Sequence, residues 1–170
     1  AVSAANAMLE KVAFRLLSHQ PERATGLGVD TGTHDHLRSK LEDQSRAGKN
    51  ALAATMREDL ATLKAWPRDG LDADTVTNLD VVESGYALGI DGLALPYGDT
   101  PIGSWRTAPY VVIQNCGTYI DMQRFMEATH PVKTEADGDA YLARLQAYPG
   151  VLEGERQRIV AAREMGVVPP

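Results

Sequence analysis

Residues able to do chemistry occur in this chain in small, separate groups. His34-Asp35-His36 places two imidazoles at i and i+2. On a strand that spacing puts both rings on one face, where they can seat one metal ion; on a helix or loop it does not. The neighbouring residues are polar and helix- or loop-forming, and 170 residues are too few for a metal-bearing barrel. The pair therefore reads as solvated surface. Glu127-x-x-His130 has the i, i+3 spacing of di-iron carboxylate helices, which also need a second copy and two further Glu residues. No second copy is present. Because Pro131 follows, His130 is predicted to close a helix, its imidazolium facing the last carbonyls. Cys116, between Asn115 and Gly117, can be pictured as a nucleophile with His130 as its base. A lone cysteine is more often a small buried hydrophobe.

Asp72-x-Asp74 reads as helix capping, and Gly26-Leu27-Gly28 as a turn. Tyr110, Gln114 and Asn115, together with Trp105, form a polar–aromatic group in an irregular region. Such groups line pockets; they equally satisfy the backbone of an ordered loop. Tyr110, Gln114 and Asn115 are the residues expected to face a substrate cleft. No phosphate loop, dinucleotide fingerprint or Gly-x-Ser-x-Gly elbow occurs.

These groups must be positioned by an ordinary globular core, since 44% of residues are apolar. The net charge is −6 and the Lys and Arg residues are scattered among acidic ones, which argues against a nucleic-acid partner. One cysteine excludes an intrachain disulfide framework. No apolar run approaches the roughly 18 residues of a membrane span. The opening Ala1-Val2-Ser3-Ala4-Ala5 lacks a Met and fits a processed start. The closing Gly166-Val167-Val168-Pro169-Pro170 reads as a helix stop and a connection onward.

Helical periodicity dominates. Ala5, Met8, Leu9, Val12, Ala13 and Leu16 predict a first helix ending before Pro21. A Gly- and Thr-rich loop is expected over 22–33 and a short helix over 34–41. Ser45 is the expected N-cap of a helix over about 46–66, with Leu52, Met56, Leu60 and Leu63 on one stripe. Asp72 or Asp74 caps the next, over about 73–90, with Leu79, Val82, Tyr86 and Ile90 inward. Residues 91–107 read as an ordered irregular loop. Tyr110-Val111-Val112-Ile113 is readable as a strand or a buried helix start. Residues 119–129 read as helix. Thr134 caps a helix to about 147 that buries Tyr141, Leu142, Leu145 and Tyr148. Tyr148-Pro149-Gly150 is expected to turn, before a last helix over 151–165. The fold class is mainly α: a bundle of about six helices with an irregular Gly/Pro-rich loop and at most a short strand pair, forming a single helical domain over residues 1–170.

Leu27-Gly28-Val29-Asp30-Thr31-Gly32, Leu79-Asp80-Val81-Val82-Glu83, Pro96-Tyr97-Gly98-Asp99 and Pro109-Tyr110-Val111-Val112-Ile113-Gln114 follow one another along the chain. Behind them come Gly117-Thr118-Tyr119, Arg124-Phe125-Met126, His130-Pro131, Tyr141-Leu142-Ala143-Arg144-Leu145 and Gly166-Val167-Val168-Pro169-Pro170. This ordered set resembles the N-terminal part of the bacterial "domain of unknown function 885" proteins. The resemblance implies a largely helical protein about three times longer, often exported through a signal peptide or lipoprotein anchor, hence a periplasmic or exported location. It also implies a C-terminal His-Glu-Gly-x-Pro-Gly-His-His stretch that looks like a zinc-peptidase site, with His and carboxylate ligands and a Glu that activates water. That stretch is not in these 170 residues. On this resemblance the chain carries no metal ligand and is not catalytic alone. It supplies the scaffold and substrate-cleft wall of a zinc-metallopeptidase-like hydrolase, with the zinc-bearing C-terminal half as its partner (possibly a separate chain after cleavage) and a peptide as substrate. The alternative is a stand-alone helical binding or interaction module without catalysis.

Overall fold

The computed structural model describes residues 1–98 and 108–169. Among them the chain forms α1 (Val2–His19), α2 (Pro21–Gly26), a 3-10 helix (Gly32–Ser39), α3 (Arg46–Ala65), α4 (Ala73–Leu93), α5 (Thr118–Ala128) and α6 (Glu135–Glu164). The mainly helical expectation is met, and the expected caps are in place. Ser45 Oγ accepts from the Gly48 N–H, Asp72 Oδ1 from the Thr75 N–H, and Thr134 Oγ1 from the Asp137 N–H. Each satisfies an amide that the first helical turn leaves open.

An apolar core forms where α1, α3 and α4 meet, from Met8, Val12, Leu52, Met56, Leu63, Leu79 and Tyr86. These are the inward stripes that the periodicity indicates. A second, smaller cluster joins Leu17, Ala24 and Leu37 between α1, α2 and the 3-10 helix.

Several expectations are corrected. Residues 22–33 are not all loop: Pro21 opens α2, because its fixed φ suits the first helical position and its missing N–H costs nothing there. Tyr110 to Ile113 is neither strand nor helix. Ile113 and Cys116 instead exchange two backbone hydrogen bonds, 3.0 and 3.2 Å, across a two-residue turn. The turn predicted at Pro149 is absent, and α6 runs through it. Pro149 is exposed, so the Leu145 carbonyl that loses its partner faces water, and buried anchors on both sides hold the helix in line.

The largest correction concerns which side of α6 is buried. Leu142 and Leu145 are 56% and 43% exposed, whereas Asp137, Ala140, Arg144, Val151, Glu155 and Arg158 are buried. α6 turns four of its charged residues, Asp137, Arg144, Glu155 and Arg158, inward and Leu142 and Leu145 outward. The loop expected over 91–107 is helical to Leu93. Trp105, with the rest of residues 99–107, lies outside the described residues.

Candidate functional site

Arg144, fully buried, is the centre of a polar core between α2, the 3-10 helix and α6. Its Nε donates to the Lys40 carbonyl at 2.9 Å; its Nη2 donates to Thr25 Oγ1 at 2.9 Å and to the Leu37 carbonyl at 3.2 Å. The guanidinium also sits over the Phe125 ring, 4.8 Å from its centroid, a cation–π contact. Burial pulls Arg144 down to about 10, against the pull of Glu22 and Asp30.

Around it stand Asp30, which accepts from Thr25 Oγ1 at 2.7 Å, and Arg38, which bridges Asp30 to Asp137. Asp137 is held near 2: burial pushes it up, but the amides of Lys133 and Thr134, the Thr134 hydroxyl and Arg38 outweigh that push. Glu22 accepts the Glu42 N–H on both oxygens, and burial drives its carboxyl up to about 7.

His130 belongs to this core and is corrected accordingly. Its backbone N–H donates to the Phe125 carbonyl at 2.9 Å, so it is the main chain, not the ring, that closes α5. The ring points to α6: Arg144 Nη1 donates to Nδ1 at 2.7 Å, which leaves Nε2 to donate to the Asp137 carbonyl at 3.1 Å. Both ring nitrogens are engaged, so His130 is not available as a base for Cys116. Cys116 is buried. Glu127 is exposed while His130 is buried, so the two do not converge on a common ion.

His34 stacks on Phe14 with centroids 3.7 Å apart and 8° between planes, and His36 lies 6.5 Å from His34. They line a groove of about 430 Å³ with Lys11 and Arg15. A larger groove, about 640 Å³, opens between α3, the end of α4 and the end of α6, lined by Arg46, Arg57, Leu93, Leu95 and Met165. Among the described residues no group of three or more His, Cys, Asp or Glu is placed to hold a metal ion. The described residues therefore do not fit a zinc centre.

Gln114 and Asn115 are exposed at the apex of the turn between Ile113 and Cys116, and Tyr110 is half-buried. Neither groove is lined by them. The turn is tied to α5 by Tyr119, whose hydroxyl donates to the Ile113 carbonyl at 3.2 Å and contacts the Gln114 carbonyl. Gly117 follows with φ 145°, and a Cβ there would lie 2.8 Å from Val112 Cγ1, so only glycine fits between turn and helix.

The periodicity does not announce the polar core, though a trace of it is legible. Asp137, Arg144, Glu155 and Arg158 recur on the same stripe of α6 as Ala140, Val151 and Ala162. Charged residues alternating with small apolar ones on one helical face mark a face that is buried through hydrogen bonds.

Fold and site define a helical protein with a buried ionic seam under α6 and a leucine-bearing surface above it. The family model described as "Bacterial protein of unknown function (DUF885)" matches residues 21–170, and the chain belongs to that family. No curated protein and no solved structure matches the chain. No helix among the described residues is long and apolar enough to cross a membrane.

Proposed function

We propose that this chain is the scaffold and substrate-cleft wall of a zinc-metallopeptidase-like hydrolase, exported from the cytoplasm, whose zinc-bearing half lies in other residues of the protein. The carrying observation is the orientation of α6. Its buried Asp137, Arg144, Glu155 and Arg158 bond to partners within the chain, while Leu142 and Leu145 are displayed outward. A surface of that kind suits packing against further protein. In this reading the Gln114–Asn115 turn, together with the half-buried Tyr110, faces a peptide substrate. It contributes backbone and amide groups that position the peptide, while the chemistry happens elsewhere.

The test is Ala substitution of Tyr110, Gln114 and Asn115 in the full-length protein, with peptide turnover and thermal unfolding measured together. Loss of turnover with the unfolding temperature held is the expected result. Turnover and stability both at wild-type values would remove these residues from the cleft. A protein without hydrolytic activity that still binds a partner through the Leu142–Leu145 face would favour the interaction-module alternative.

A further inference from the structure

The turn that carries Gln114 and Asn115 is not held by its own sequence alone. Its downstream flank enters α5 at Thr118, and Thr118 is buried. There the Glu155 carboxylate, itself 5% exposed, accepts both the Thr118 N–H at 3.0 Å and the Thr118 hydroxyl at 2.8 Å through Oε1. Tyr148, two turns earlier on α6, donates its hydroxyl to the Thr118 carbonyl at 3.1 Å. The N-terminus of α5, where open amides favour an anion, is thus filled by a carboxylate from α6. One residue on, Tyr119 passes the constraint to the turn through the Ile113 and Gln114 carbonyls.

The upstream flank is anchored one helical turn further along α6. Arg158 Nη2 donates to the Gly98 carbonyl at 3.1 Å, and Gly98 lies so close to Pro109 that a Cβ on it would meet the Pro109 oxygen at 2.8 Å.

We propose that Glu155 is a positioning residue for the Gln114–Asn115 turn, fixing its direction from α6 by way of Thr118 and Tyr119, with Arg158 holding the opposite flank. The proposal gives a use to the one-turn spacing of the two buried charges. It rests on the reading above only in taking the turn as substrate-facing.

Amide hydrogen exchange on the full-length protein tests it, because two amides report differently. The Thr118 amide bonds Glu155 itself and must quicken in Glu155→Ala on any account. The Cys116 amide bonds the Ile113 carbonyl and not Glu155, so it quickens only if the turn depends on Glu155. We expect about tenfold or greater acceleration at Cys116 in Glu155→Ala, with α3 and α4 amides unchanged. Glu155→Gln keeps an acceptor oxygen and should restore Cys116 to within about threefold of wild type. Thr118→Val, which removes the hydroxyl bond and keeps the shape, should give a smaller acceleration there; it serves alone if Glu155→Ala does not fold. Acceleration confined to Thr118, an unchanged Cys116 in Thr118→Val, or a uniform rise across all helices would overturn the proposal. Turnover in the Gln114 and Asn115 variants reports on the cleft reading separately, so either idea can fail without the other.

Discussion

Single residues in the polar core set two measurable behaviours. Glu22 is neutral-preferring in the fold, because burial lifts its carboxyl from 4.5 to about 7 against the Glu42 N–H it accepts. A carboxyl raised on folding favours the native state where it is protonated in both states. That contribution is whole below about pH 4 and is lost as the pH rises through 7. Glu22→Gln, which never ionises, should therefore match wild type near pH 4 and exceed it by about 1–3 kcal/mol near pH 8, as read by urea unfolding at the two pH values. Arg144 is the harsher case. Its forked donors serve Lys40, Leu37, Thr25 and His130 together, and a lysine offers a single point of charge. Arg144→Lys should cost about 2–4 kcal/mol in the same assay, since several buried acceptors are left open.

At the level of elements, α6 departs furthest from what its sequence suggests. Pro149 interrupts it without ending it, so Pro149→Ala should restore one hydrogen bond and raise stability by about 1–3 kcal/mol in chemical denaturation. Five residues on, α6 presses against the start of α3: a Cβ on Gly154 would lie 2.8 Å from the Ser45 backbone nitrogen. Backbone cannot yield as a side chain can, so Gly154→Ala should lower stability by about 1–3 kcal/mol despite its better helix propensity. Legibility divides along the same line. Caps at Ser45, Asp72 and Thr134, and the stripes of α1, α3 and α4, depend on neighbours within a turn or two and can be read directly. The buried face of α6 depends on partners about a hundred residues away, such as Arg38 with Asp137 and Lys40 with Arg144. Periodicity alone assigns the inward side to the leucines, because it cannot see that those charges find partners. The Gln114–Asn115 turn was legible as an irregular polar segment. Its dependence on Glu155 was not, for the same reason of distance.

The whole molecule joins an apolar half, α1 with α3 and α4, to a polar half in which α2 and the 3-10 helix meet α6. Leu63 is fully buried in the first half, and Leu63→Ala should cost about 2–5 kcal/mol. If the halves are one cooperative unit, far- and near-ultraviolet circular dichroism should still lose signal at the same denaturant concentration in that variant. The long span of the seam also bears on how the protein is made. The carbonyls of Leu37 and Lys40 wait for Arg144, 107 and 104 residues downstream. At about 5–20 residues per second, the ribosome delivers that partner some 5–20 s after the carbonyls emerge. Until then the segment around α2 must keep its polar groups in water. The segment around α2 thus settles late although it is made before α6, and completion of α6 is the event that seals it.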